Sequence, residues 1–600
     1  MKNFKSLFLA LFIILPLSAS SVFSQFINPA LNNPVIPDVM GYVNILESDG
    51  KHTYNTVLNV DSFPLFSGFP KTNSGATYEG GILCNMDGDN DLEIVRNMGY
   101  TVQAWNFDGS NVPGWPVTVP TYQLECAPSF GDVDGDGQED IVVTNHGLTS
   151  GGFIFAYRKN GTMLPGFPIN HGYSSRTPVL ANVDNTAALE IIVNKRQSGA
   201  NEVSIYTGSG AVLSGWPKSI NSVPASSSAV GDITGDGQPE IVAESYNSLY
   251  AWDKSGNILS GFPFTMPNGD VNSYSSPVLA DVDGDNIREI IFGTHALSGP
   301  GYVYVIKNNG TVMNGWPKQV PNWIYGPPAV GYINNDNVID IAVGDQVLSG
   351  SPSDQISAWD KDGNSLPGFP VTSLWAINNQ ITIGDIDNDN NMELIIDDNT
   401  STGGRGKYLA FNHDGTPLTG WDVTVDGTTM FSTPMIGDLN RDGLLDISGS
   451  GGVFSNPAYT YVYLWNTGIS YNANKITIPM FQYNSRHNGV YGDNPLVGIS
   501  PVSNTIPKNF ELKQNYPNPF NPVTKIRFSI ARVNSGINSI FTKLTVYDVS
   551  GKTIAHLINS ELVPGEYETD FNASGLASGI YFYELNAGGL KLTNKMVLVK

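Results

Sequence analysis

Apolar and polar residues alternate along most of this chain in short runs, and the runs recur in groups of four. VQAWNFDG, FIFAYRKNG, LYAWDKSG, VYVIKNNG and ISAWDKDG are rich in aromatic and β-branched residues at alternating positions, and each ends on DG, SG or NG. Such a run predicts a β-strand entering a tight hairpin turn. Upstream of each lies a small-residue strand such as APSFG, SSAVG, SPVLA or PPAVG, then an acidic stretch, then an apolar run such as IVVTN or IIFGT; downstream lies a GWP or GFP corner. No unit contains a helix-length stretch of 3.6-residue periodicity, so a helical solenoid is excluded. Four short strands in a unit of about 50 residues form the pattern of a propeller blade.

The acidic stretches align as eight copies, NMDGDNDLEI, DVDGDGQEDI, NVDNTAALEI, DITGDGQPEI, DVDGDNIREI, YINNDNVIDI, DIDNDNNMEL and DLNRDGLLDI, whose first residues are 47 to 53 positions apart. Calcium takes six to eight oxygen ligands, and a short loop with Asp or Asn at alternate positions aims several of them at one point. Positions 1, 3, 5 and 9 supply the candidates. They are Asn85, Asp87, Asp89 and Glu93; Asp132, Asp134, Asp136 and Asp140; Asn182, Asp184 and Glu190; and Asp232, Asp236 and Glu240. The second half of the array supplies Asp281, Asp283, Asp285 and Glu289; Asn334, Asp336 and Asp340; Asp385, Asp387, Asp389 and Glu393; and Asp438, Asn440, Asp442 and Asp446. An EF-hand is excluded, because position 12 of the second loop is Val143, inside a strand, where that motif needs a Glu. The third loop has Thr186 at position 5 and the sixth begins on Tyr332, so these two are expected to bind more weakly than the four-carboxylate loops at 132, 281 and 385.

Units such as PSFGDVDGDGQEDIVV and PVLADVDGDNIREIIFG resemble the FG-GAP or VCBS repeats of integrin-α-type and bacterial extracellular propellers. The resemblance implies a calcium-binding β-propeller over residues 61–492, with Ca2+ held by the loop residues just named. The repeat count points to eight blades; integrin-type rings have seven. An orphan SGFP corner at Ser67 to Pro70 precedes the first acidic loop, which suggests that an N-terminal strand completes the last blade and closes the ring.

The ends of the chain read differently. Lys2 and Lys5 before an apolar stretch from Leu7 to Leu17, too short to span a bilayer, indicate a signal peptide over 1–24; residues 25–60 then lead into the ring. After HNGVYGD a Pro/Ser/Asn-rich linker at 493–507 precedes a module at 508–600, whose alternating runs and SG and PG turns indicate a small Ig-like β-sandwich. Its NYPNPFNP, YDVSGK, LASGIYFY and KMVLVK closely resemble the C-terminal sorting domain of type IX secretion. That resemblance implies a type IX translocon as partner, and a product secreted or held at the outer cell surface. No transmembrane segment is present in the sequence pattern.

The 600 residues carry a formal charge of −24, which argues against nucleic acid or an anionic membrane as partner. Calcium in the loops would offset part of it. Cys84 and Cys126 are the two thiols, open to pairing in an exported protein or to simple burial. HExxH, G-x-S-x-G and phosphate-loop motifs are absent. The ring of corner aromatics, Trp115, Phe167, Trp216, Phe262, Trp316, Phe369 and Trp421, is expected to pack between sheets. Trp323, Tyr325 and Trp375 break the repeat and are the better ligand candidates, while His146 and His295 fall at similar places, after the strand that follows an acidic loop, and are expected to be polar surface groups that could share one rim. Two function classes remain: a binding or adhesion propeller whose rim or central channel holds a glycan or protein, and, as the alternative, a lyase-like polysaccharide-degrading enzyme on the same scaffold. With no isolated acid and base set outside the repeat, no catalytic residue is assigned and binding is favoured.

Overall fold

The computed structural model describes residues 42–46 and 52–56 and most of the chain from 63 to 599; outside the described residues lie 1–41, 47–51, 57–62, 76–79, 147–150, 197–199, 297–299, 347–351, 400–404, 454–457, 494–498, 504–506, 532–539 and scattered single positions that include 90, 187, 286, 335, 337 and 390 in the acidic loops. The signal peptide read at 1–24 and most of 25–60 therefore lie outside them. Among the described residues there is no α-helix.

From Ile82 onward the strands form eight antiparallel sheets in sequence order, each built outward from a three-residue innermost strand. These innermost strands are Ile82–Cys84, Ser129–Gly131, Val179–Ala181, Ala229–Gly231, Val278–Ala280, Ala329–Gly331, Thr382–Gly384 and Met435–Gly437. Of the second strands, Glu93–Met98 and Glu240–Ser245 are buried at every residue. Burial on both faces explains their near-continuous apolar runs. The outermost strand of the eighth sheet is Lys71–Ser74, which pairs with Tyr459–Val462, and the innermost strands of the eighth and first sheets touch. The array therefore closes on itself through its N-terminal segment. Because neighbouring strands alternate in direction, the acidic loops (strand one to two) and the DG or NG hairpins (strand three to four) share one face. The links between sheets share the other.

The axis of this closed array is filled by the chain itself. Ile476–Ile478 pairs with the innermost strand of the seventh sheet, Ile383 opposite Ile478. Residues 479–491 then turn and come back, and their carbonyl oxygens accept from innermost-strand N–H groups: Pro479 from Ile436, Ser485 from Phe130, Arg486 from Leu180, Asn488 from Val230 and Gly489 from Leu279, at 2.8–3.0 Å. Tyr483 Oη accepts from the N–H of Val330, and Met480 packs in the apolar cluster of Ile82. One segment thus touches all eight innermost strands. The central channel offered by the sequence reading as a ligand site is occupied.

The C-terminal module is a two-sheet sandwich. One sheet orders Ile499–Ser503, Gly565–Asn572, Val523–Ile530 and Glu511–Leu512; the other orders Thr553–Leu562, Ile540–Tyr547, Gly579–Ala587 and Leu590–Leu598. Phe520, Phe528, Leu544, Val546, Tyr583 and Met596 fill the space between them. The NYPNPFNP segment is stitched to the last strand, Phe520 N–H donating to Val597 O and Val599 N–H to Phe520 O. The stretch read as linker needs correction: Ile499–Ser503 inside it pairs with Glu566–Thr569, because ISPVS alternates well enough to serve as an edge strand. Cys84 and Cys126 are both buried and form no disulfide.

Candidate metal loops

Each acidic loop is anchored by the same pair. The position-9 carboxylate is buried in all eight repeats, from Glu93 to Asp446, and opens the second strand in the first seven. One of its oxygens accepts the N–H of the buried apolar residue at position 2. Ile233 to Glu240, Val282 to Glu289, Ile333 to Asp340, Ile386 to Glu393 and Leu439 to Asp446 are each 2.9 Å, and Met86 to Glu93, Val133 to Asp140 and Val183 to Glu190 repeat the bond. The apolar position 2 plugs into the core and holds the loop against the carboxylate. In Asp140, Asp340, Glu393 and Asp446 the second oxygen is buried with no hydrogen-bond partner. A buried carboxylate oxygen without a hydrogen-bond partner is costly.

Wherever Asp or Asn holds the front positions, the loop runs as Asx turns. Position 1 accepts from position 4, as in Gly135 N–H to Asp132 and Gly235 N–H to Asp232, both 2.7 Å. Position 3 accepts from position 5, and position 5 from position 7, as in Asp389 N–H to Asp387 at 3.0 Å and Asn391 N–H to Asp389 at 2.7 Å. Asp132 and Asp232 spend both oxygens on the turn, accepting from Gly135 and Gly137 and from Gly235 and Gly237, whereas Asp387 spends one on Asp389. In four loops three carboxylates bring oxygens within 4.8 Å of one another: Asp87, Asp89 and Glu93; Asp132, Asp134 and Asp136; Asp281, Asp283 and Asp285; and Asp385, Asp387 and Glu393. These include the three four-carboxylate loops. The loops at 182 and 332, expected to be weak, show no such triplet among the described residues, and neither do those at 232 and 438, where Thr234 and Asn440 hold position 3.

Burial, reinforced by the neighbouring carboxylates, pushes the position-9 acids up against the opposing backbone N–H bond. Glu93 and Glu393 reach about 8, and Asp140, Glu190, Glu240, Glu289, Asp340 and Asp446 about 7. Without a cation, then, the fold disfavours ionisation at all eight anchors. Among the described residues, basic side chains pair with the position-3 and position-5 aspartates in two loops: Arg158 reaches Asp134 at 2.7 Å and also Asp136, and Lys307 reaches Asp283 at 2.5 Å. The equivalent residue in the seventh sheet is Asn412.

The corner aromatics pack between sheets as expected, Trp115, Trp216, Phe262, Trp316, Phe369 and Trp421 being buried and Phe167 packing against the core. Three of the tryptophans also donate their indole N–H to the next sheet's hairpin: Trp115 to Lys159 O, Trp216 to Lys254 O and Trp316 to Lys361 O. Trp323 lies with its ring 4.7 Å from that of His295, which also faces Tyr325. His295 is buried, and burial lowers its pKa to about 4, so the ring is a neutral packing element. The side chain of His146 is outside the described residues. The Trp375 N–H is held by Asp398 at 2.8 Å.

No curated protein matches the chain. Among solved structures it is similar to the V. cholerae biofilm matrix protein Bap1, at 13% identity over 72% of this chain and 92% of that one with a TM-score of 0.45. It is also similar to the Pseudomonas aeruginosa PilY1 C-terminal domain, at 11% identity over 62% and 92% with a TM-score of 0.35, and to the WD40 domain of SCAP from fission yeast, at 10% over 66% and 98% with a TM-score of 0.31. Residues 514–600 match the family described as the secretion system C-terminal sorting domain. The match falls on the two-sheet sandwich and its NYPNPFNP motif, so the C-terminal segment is a type IX secretion sorting domain and the protein is exported, to the outer cell surface or beyond it.

Proposed function

We propose that the chain is an eight-bladed, calcium-stabilised β-propeller of the FG-GAP or VCBS type, displayed or released by type IX secretion as a binding or adhesion protein. The observation that carries the reading is the repeated anchor: one buried carboxylate per sheet, bonded through one oxygen to the loop backbone, with its second oxygen left over in four of the loops. Calcium supplies the missing partner, keeps the acid ionised and ties the loop to its sheet, so binding and folding are coupled. With the axis filled by residues 476–491, the surface left for a partner is the two faces and the rim. The ligand we favour is a glycan or an extracellular protein.

The test joins two assays on the calcium-loaded protein. A glycan and matrix-protein array reads binding, and a turnover assay on pooled polysaccharides reads depolymerisation. Retention of a ligand without turnover supports the binding reading. Release of unsaturated oligosaccharides would move the protein to the lyase class.

A further inference from the structure

Closing the ring with an N-terminal strand has a structural cost at one place. In the sheets that are continuous in sequence, a DG, NG or SG hairpin joins strands three and four, and the corner glycine of the preceding unit packs against it. A methyl group on Gly68, Gly114, Gly166, Gly215, Gly261, Gly315 or Gly368 would collide with the carbonyl of Asp108, Asn160, Ser209, Ser255, Asn309, Asp362 or Asp414, respectively. The eighth sheet has no such hairpin, because its third strand, Tyr459–Ser470, runs out toward the axis and its fourth, Lys71–Ser74, arrives from the other end of the chain. The corner that should pack there is Gly420. A methyl group on it would meet nothing within 4 Å.

The adjoining tryptophan registers the same gap. Trp115, Trp216 and Trp316 each donate an indole N–H to a carbonyl of the next hairpin, whereas Trp421 Nε1 is buried without an acceptor, as is Nδ1 of His413 nearby. A cavity of about 560 Å³ stands at this junction, with Phe63, Asp387, Asp389, His413, Trp421 and Ile469 in its wall. Phe63 closes one side edge-on, its ring 5.0 Å from that of Trp421. Volume and mixed wall are those of a small-molecule site.

We propose that this open corner, between the seventh and eighth sheets on the acidic-loop face, binds a neutral saccharide. The wall is rich in acceptors, with the exposed carboxylates of Asp387, Asp389 and Asp414, and carries an aromatic flank with the unsatisfied Trp421 N–H buried behind it. A sugar ring meets such a wall well, because each hydroxyl both donates and accepts. A peptide turn, the occupant of the other seven corners, has fewer donors and here lacks the strands that hold it in place. The inference rests on the calcium reading in one respect: an ion in the seventh loop offsets two of the negative charges gathered there by Asp385, Asp387, Asp389 and Glu393, and so weakens the pull of the wall, which also holds Asp414, on a free cation.

The test is saturation-transfer NMR on the full chain in calcium against maltopentaose, cellopentaose, xylopentaose and mannopentaose, with a cyclic Asn-Gly turn peptide in parallel. Trp421→Phe keeps the ring against Phe63 and removes the N–H. Ile469→Trp, at a half-buried strand end, fills the cavity from the other side. Trp216→Phe, whose N–H already has an acceptor elsewhere in the ring, is the control. Transfer to at least one oligosaccharide is expected, weakened about tenfold by Trp421→Phe, abolished by Ile469→Trp and untouched by Trp216→Phe. No transfer to any of the four, transfer to the turn peptide alone, or binding unchanged in both corner variants would overturn it. Thermal melts of each variant with calcium and with chelator report folding and the calcium reading separately. A normal calcium shift without saccharide binding therefore sinks this inference alone.

Discussion

His487 Nε2 lies 2.9 Å from the carbonyl oxygen of Pro128, across 359 positions of sequence, while its Nδ1 lies 2.9 Å from the carbonyl oxygen of Phe481. A fully buried imidazole is thereby clamped between the axial segment and the link into the second sheet. A neutral ring satisfies one of those carbonyls and an imidazolium satisfies both.

The axial segment should therefore contribute to stability out of proportion to its length. His487→Ala removes a buried ring and its hydrogen bonding, and is expected to cost about 2–4 kcal/mol, read as a lowered guanidinium midpoint at unchanged slope. A chain ending at residue 475 should lose the single cooperative transition, since eight innermost strands would line an empty axis. A change below about 0.5 kcal/mol for His487→Ala would show that the segment is an ornament.

Calcium affinity should differ among the loops, and the seventh should be tightest. It shares four ligand carboxylates with the second and fifth, but those two have Arg158 or Lys307 on their aspartates, while the seventh has Asn412 at that place. Arg158→Gln is expected to raise occupancy of the second loop. Anomalous peak heights from crystals grown in limiting lanthanide give the order. Equal peaks in all eight loops, or no gain in the variant, would contradict it.

The pH dependence should reverse sign with calcium. The position-9 acids are raised to about 7 or 8 in the fold without a cation, above the unfolded values of about 4. Their protonated form is then the one the fold prefers, so in chelator this contribution is fully present below about pH 4 and is lost as pH rises through 7–8. In saturating calcium the ionised form is preferred, and stability should instead fall on acidification as protons displace the metal. Urea midpoints at pH 5 and pH 8.5, with and without calcium, give the four values. Parallel trends in the two conditions would refute the assignment of these acids as ligands.

Removing residues 499–600 should leave the melt and calcium response of the remaining ring intact, because the sandwich has its own core around Phe520, Phe528 and Tyr583. Export should fail. In a host with type IX secretion, fractionation should place the truncated chain in the periplasm; its normal appearance in the medium would overturn the role of the sorting domain.

Much of this was readable from the chain because the repeat imposes it locally. Position 2 must be apolar to plug the core and position 9 must be acidic, and both requirements sit within ten residues of each other, as in Ile386 and Glu393. The orphan corner before Lys71 likewise announced a strand whose sheet lies elsewhere. The axial segment was not readable in this way. Its partners, such as Pro128 for His487 and Ser228 for Gln482, are hundreds of positions away, and it has no periodicity to project. Its one signal was the density of amide, hydroxyl and imidazole side chains in FQYNSRHNG, polar groups that make sense only where many backbone groups need partners. The open corner at Gly420 was hidden for the related reason that it is an absence, visible only once the other seven corners are seen filled.

The central claim, that calcium in the acidic loops holds the ring together, is tested most directly by the thermal melt of the full chain in calcium and in excess chelator. At free calcium about 100 times the dissociation constant each occupied loop adds about 2.7 kcal/mol, so the account predicts a transition at clearly higher temperature with calcium, shifting further as calcium is raised. Coincident melts in the two conditions would contradict it.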